Sequence, residues 1–179
     1  MKMEQILMSE STNNGNDLYA VVYGNSKIIS FMLNQNVNVE DLHPDALASY
    51  YVDYYFSQVN SAGFSKFVHG SQWNADMNAS IAHGLKEMNS LQHLEFFLKK
   101  QEEVNSFSSD KLEAYLENVY YADCPVRTEL DEDKSFYWLD DEIVDLNGQW
   151  LKDHKETKVL SMDEIFTTLE EILGRPIER

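Results

Sequence analysis

The sequence has one cysteine, three prolines and seven glycines in 179 residues. Cys124 has no partner within the chain, so no internal disulfide can staple the fold, and a reducing, cytoplasmic setting is expected. So few glycines and prolines leave few tight turns, which favours long helices over a many-stranded sandwich or barrel. No run reaches the roughly 18 apolar residues of a membrane-spanning helix. The apolar patch Ile6-Leu7-Met8 also falls short of the roughly 7–15 residues of a secretory core. Positive charge is scarce: 14 Lys and Arg face 31 Asp and Glu, a net charge of −17. Such a surface repels nucleic acid and anionic lipid, so neither is expected as a direct partner.

Catalytic signatures are missing as well. Neither phosphate-cradling loop, G-x-G-x-x-G or G-x-x-x-x-G-K-[ST], occurs in the sequence, and the backbone nest that holds a nucleotide phosphate goes with them. C-x-x-C, H-E-x-x-H and G-x-S-x-G are absent too, which removes the commonest zinc sites and the serine-hydrolase elbow. His83 and Glu87 would share a helix face, but two ligands do not make a metal site. Asp131-Glu132-Asp133 lacks the glycine of a calcium loop. Pairs such as Asp131/Asp133 and Asp140/Asp141 could in principle serve glycoside hydrolysis or magnesium binding, but in a chain with 31 acids they arise by composition alone. The expectation is a protein that is not an enzyme and that holds no cofactor and no metal.

What the sequence does contain is 43% hydrophobic residues and 12% aromatics, enough to bury a core despite the charge. Residues 1–15 read as a flexible polar lead-in and residues 16–179 as one compact, multi-helix, all-α domain with little or no sheet. Helical spacing of apolar residues runs from Asp17 to about Leu33, with Gly24 as a candidate kink. Pro44 suits a first helical turn, and the helix it opens carries Tyr50, Tyr51, Tyr54 and Tyr55 up to Gly63. A short turn, Phe64–His69, is expected next. Two helices follow, near 74–88 and 91–104, and then a helix from Asp110-Lys111-Leu112-Glu113 that Cys124-Pro125 stops. One helix is expected across Phe136–Trp150. The last opens on the capping box Ser161-Met162-Asp163-Glu164 and closes at Gly174. Lys158–Leu160 is too short to argue for a strand.

The negative charge is uneven. Residues 102–145 hold 14 acids against Lys111, Arg127 and Lys134, a net of −11, while the rest of the chain carries −6. Acids three or four apart on a helix lie about 5–6 Å from each other, on the scale of successive phosphates along a DNA strand. The candidate partner-binding residues are therefore Glu102, Glu113, Glu117, Asp131, Asp133, Asp140, Asp141, Glu142 and Asp145. They would offer a basic protein charge-assisted hydrogen bonds and long-range steering. The aromatic run Tyr50–Phe56 has no basic residues around it to neutralise a nucleic-acid backbone, so it is read as core.

One segment is more specific. Tyr50-Tyr51-Val52-Asp53-Tyr54-Tyr55-Phe56-Ser57-Gln58-Val59-Asn60-Ser61-Ala62-Gly63-Phe64-Ser65-Lys66-Phe67 resembles a bacterial, mostly uncharacterised helical family. In that family a tyrosine-rich helix ends in a V-N-G-G-F-x-Q-F/Y-like turn. Ala82-His83-Gly84-Leu85-Lys86-Glu87-Met88 and Leu91–Lys100 look like its next helix pair, so the resemblance covers roughly 45–105. Ser61-Ala62-Gly63, Lys66 and His69-Gly70 depart from the pattern. The family includes acidic DNA mimics that occupy DNA-binding proteins in place of DNA. The resemblance implies an acidic binding protein, a basic DNA-binding partner and a homodimer in which Tyr120, Tyr121 or Trp138 could anchor the contact. It supplies no catalytic residue. The alternative reading is an immunity-type module that neutralises a toxin.

Overall fold

Most helices begin where a side chain can satisfy the free N–H groups of a first turn. A computed structural model describes residues 1–178; Arg179, the last residue of the expected 16–179 domain, lies outside them. The elements are β1 (Ile6–Ser9), α1 (Glu10–Asn14), α2 (Leu18–Asn34), α3 (Pro44–Ala62), α4 (Phe64–Ser71), α5 (Ala75–Glu87), α6 (Leu91–Asn105), α7 (Ser109–Glu117), α8 (Pro125–Leu130), α9 (Ile143–Asp153), β2 (Thr157–Leu160) and α10 (Met162–Leu173), with 3-10 turns at Val39–Asp41 and Ser135–Trp138. Among the described residues the fold is thus all-α apart from one two-stranded sheet. Asp17, Asn74 and Ser161 accept from the backbone N–H groups of Ala20, Met77 and Glu164, respectively, and Glu164 completes the capping box at α10. Gly24 does not divide α2, which runs unbroken.

The described residues form two compact units, 1–53 with 144–178, and Tyr54–Ile143. In the first, β1 pairs with β2 in parallel, Ile6 opposite Thr157 through Ser9 opposite Leu160. Ile6, Leu7 and Met8 therefore sit in the segment read as a lead-in but are buried, together with Val21, Ile29, Met32, Leu151 and Ile165. A Cβ added at Gly148 of α9 would collide with the Leu18 carbonyl oxygen of α2. Glycine is what lets those two helices touch backbone to backbone.

The second unit is built on rings. Tyr55 contacts Phe97 at 5.2 Å and Phe67 at 5.5 Å between centroids, both edge to face, the arrangement ring quadrupoles prefer. Phe64, Phe96 and Phe136 extend the cluster, so the aromatic run reads correctly as core at Tyr55. Burial pushes the Tyr55 hydroxyl well above its ordinary pKa.

Residues 64–71 form the helix α4 rather than the expected turn. Gly63, at its N-cap with φ 94°, has no side chain to cap with. Asp131, 66 residues away, supplies the acceptor: Ser65 N–H donates to it at 2.9 Å and the Ser65 hydroxyl at 2.6 Å. A Cβ on Gly63 would strike that carboxylate. Gly63→Ala is therefore expected to destabilise the protein by about 2 kcal/mol, through left-handed strain and a displaced cap. Urea unfolding of the variant measures this, and an unchanged midpoint would contradict it.

Three further boundaries differ from expectation. Ser108, not Asp110, caps α7, and the helix stops at Glu117. Pro125 opens α8 at its first turn instead of only ending the preceding helix, because a missing N–H is tolerated equally there. The helix expected across 136–150 is two elements. The residues between them extend, Asp140 N–H donating to the Gln92 side chain at 2.9 Å and Asp141 accepting from the start of α6.

Candidate partner-binding surface

Three of the nine candidate carboxylates have internal roles. Asp131 caps α4 as described. Asp133 accepts from Lys99 Nζ at 2.8 Å and from Ser135 N–H at 2.9 Å; the Lys99 bond, then Ser135, holds its carboxyl well below the usual range. Asp141, expected to be exposed, is half-buried. One of its oxygens accepts from Gln92 N–H at 2.7 Å, the Ser90 hydroxyl at 3.3 Å and His93 N–H at 3.4 Å. It caps α6, whose own N-cap Ser90 makes no such side-chain bond.

The other six, Glu102, Glu113, Glu117, Asp140, Glu142 and Asp145, are exposed. Among the described residues no ion pair joins them, whereas Glu103, Glu129 and Asp133 are paired to Lys100, Lys111 and Lys99. Glu113 and Glu117 lie one turn apart on α7, about 5–6 Å at their Cβ atoms. Glu102 is in the last turn of α6, Asp140 and Glu142 flank Asp141, and Asp145 lies in the first turn of α9, in the first unit. Large apolar groups stand exposed in the second unit too: Trp138 at 79%, Tyr121 at 78% and Val119 at 75%. Tyr120 is packed instead, its hydroxyl donating to Ala62 C=O at 3.3 Å with Lys66 Nζ 4.5 Å from its ring centre.

His93, next to the Asp141 cap, is 2% exposed, with an unpartnered Nδ1. Burial lowers its pKa to about 4, against a smaller upward pull from Asp141. A depressed histidine favours the neutral folded form, so the unfolded chain binds the extra proton. Stability is accordingly full above pH about 6.5 and falls as pH drops towards about 4, by an amount on the order of 3 kcal/mol. Unfolding midpoints between pH 7 and 4 test this. Wild type should lose more than His93→Gln over that window; parallel curves would contradict it.

Sequence spacing missed one constellation because its two halves, residues 43–45 and 154–156, lie more than 100 residues apart. In the first unit His43 Nδ1 accepts from Asp45 and Ala46 N–H at 3.2 and 3.4 Å, capping α3. Its Nε2 therefore carries the proton and donates to Glu156 at 3.1 Å. His154 repeats the pattern: Nδ1 accepts from Glu156 N–H at 3.2 Å and Nε2 donates to Asp45 at 2.9 Å. The candidate ligand atoms of His43, His154 and Glu156 lie within 4.8 Å of one another. A metal would need the Nε2 lone pairs, which would turn each Nδ1–H against a backbone N–H. As hydrogen-bonded here, the arrangement is a clasp between the start of α3 and the residues that lead into β2.

Among the described residues no helix is long and apolar enough to cross a membrane. The sequence model of a family described as DMP19-like protein matches residues 40–154. No curated protein and no solved structure matches the chain.

Proposed function

We propose that this chain, which belongs to the DMP19-like protein family, is a cytoplasmic, non-catalytic DNA mimic that occupies the basic surface of a DNA-binding protein. The observation that carries this reading is the set of exposed carboxylates on the second unit, Glu102, Glu113, Glu117, Asp140 and Glu142, which have no internal cation. Two of them are not placed for stability. Glu102 sits in the last turn of α6 and Glu117 ends α7, where the helix dipole disfavours negative charge by roughly 0.3–1 kcal/mol. Acids kept at such positions are explained by a basic partner. Asp145 presents a further carboxylate on the first unit. Asp131, Asp133 and Asp141 contribute by shaping the fold.

Trp138 stands exposed just before Asp140 and Glu142, and an aromatic anchor beside charged groups is the usual make-up of an interface hot spot. Trp138 and Tyr121 would anchor a homodimer that extends the acidic surface. Light scattering at tens of micromolar should give twice the 20.8 kDa chain mass, and Trp138→Ala should return a monomer. A monomeric wild type would remove the dimer from the proposal.

The function is tested by capture from lysate at low salt, followed by displacement. A captured DNA-binding protein should release labelled DNA when this chain is added, read by fluorescence anisotropy. Partners that keep their DNA at saturating concentrations would overturn the mimic reading.

A further inference from the structure

A side-chain amide is open to attack by its own backbone where glycine follows asparagine, because no Cβ then screens the next amide nitrogen. The sequence has two such pairs, Asn14-Gly15 and Asn147-Gly148, both in the first unit. Their surroundings are opposite. Asn147 is 1% exposed, lies inside α9 and donates from Nδ2 to Ser49 C=O at 3.2 Å. Gly148 is pressed against the Leu18 carbonyl, which leaves that pair no room to close on itself. Asn14 is exposed and is the last residue of α1. That helix has five residues, too few to hold without outside support. Gly15 is already extended, with φ −78° and ψ 162°. Its N–H makes one long bond, 3.3 Å to Thr12 C=O. Opening this end therefore breaks few contacts, whereas opening α9 breaks many.

We propose that Asn14 is a self-modifying site, which converts without an enzyme to aspartate and isoaspartate while Asn147 stays intact. The Gly15 backbone nitrogen gives up its proton to water or hydroxide and bonds to Asn14 Cγ. The Cγ–Nδ2 bond breaks, and the side-chain nitrogen takes up a proton and leaves as ammonia. Water then opens the cyclic imide at one or other carbonyl carbon and returns a proton to the Gly15 nitrogen. Either product carries one more negative charge than asparagine. Isoaspartate also adds a methylene to the main chain between α1 and α2. That insertion displaces the Gly15 carbonyl, which accepts from Lys152 Nζ at 2.9 Å. The conversion requires no partner and is independent of the DNA-mimic reading.

The experiment incubates the full-length chain for a month in mildly alkaline buffer at body temperature, then maps it by proteolysis and mass spectrometry. The peptide holding Asn14 should gain the mass of an amide-to-acid conversion and split into two chromatographic products, aspartate and isoaspartate. The peptide holding Asn147 should convert at least about tenfold more slowly, because α9 must open first. In denaturant, where neither helix persists, the two positions should convert at comparable rates. Gly15→Ala places a Cβ no nearer than 3.4 Å to its neighbours, so the fold tolerates it, and conversion at position 14 should slow at least about tenfold. Any of four results would overturn the proposal: an unchanged Asn14, aspartate as its only product, Asn147 converting as fast in the folded chain, or an undiminished rate in Gly15→Ala. Silence of Asn147 in denaturant would contradict it too, since protection would then not come from the fold. The wild-type comparison of the two asparagines decides the matter even if Gly15→Ala fails to fold.

Discussion

Replacing Glu103 by alanine should cost about 3–5 kcal/mol, as much as truncating a buried core ring. Lys100 explains why. Its side chain is fully buried, and its ammonium donates to Glu103 at 2.5 Å and to Leu130 C=O at 2.8 Å, with the Phe64 ring centre 5.3 Å away. Removing the carboxylate leaves a buried cation with a carbonyl and a ring face, which do not replace lost hydration. Lys100→Met should be milder, because the Glu103 side chain is 33% exposed and water can take over its charge. The double variant Lys100→Met/Glu103→Ala should recover most of the loss, since it leaves no uncompensated charge. Denaturant unfolding of the three variants measures this order. If Glu103→Ala proves no worse than Lys100→Met, the buried-charge argument fails.

That ion pair also illustrates what a sequence hides. The local signals were legible. Asp17, Asn74 and the Ser161–Glu164 box mark helix starts by their own side chains, and Gly174 ends α10 with φ 66°. The tyrosine-rich helix and its glycine turn are read directly from spacing. Contacts between distant residues are what spacing could not supply. β1 pairs with a strand about 150 residues away, and α4 depends on an acceptor 66 residues away in Asp131. The His43–Glu156 and His154–Asp45 bonds span more than 100 residues. Pro125 was ambiguous in principle, since proline suits both the residue after a helix and the first turn of the next.

The candidate surface was legible by charge and not by role. An aspartate that caps a helix and one that faces solvent look alike in sequence. Asp141 and Asp140 are neighbours, yet the first holds the start of α6 while the carboxylate of the second is exposed. Composition located the acidic stretch, but only backbone geometry separates Asp131, Asp133 and Asp141 from Glu102, Glu113, Glu117 and Glu142. Charge reversals meant to probe binding should therefore avoid the first group, where a changed affinity would report a damaged fold.

The second large effect is on binding. Reversing Glu113, Glu117, Asp140 and Glu142 together to lysine changes the surface charge by eight units. If these groups face a Lys/Arg surface, attraction becomes repulsion at each site, and affinity should fall at least about a thousand-fold, roughly 4 kcal/mol. The fold should not suffer. All four side chains are exposed, exposed substitutions move stability by about 0.5 kcal/mol or less each, and lysine at position 117, at the α7 C-terminus, offsets lysine at position 142, just before α9. The most direct measurement follows the dissociation constant of the captured DNA-binding partner for wild type and for this variant, from 50 to 300 mM salt. Wild-type affinity should weaken steeply as screening shortens to about 8 Å near 0.15 M, and the folded variant should bind at least about a thousand-fold more weakly at low salt. Affinity that ignores both the salt and the four reversals would contradict the account.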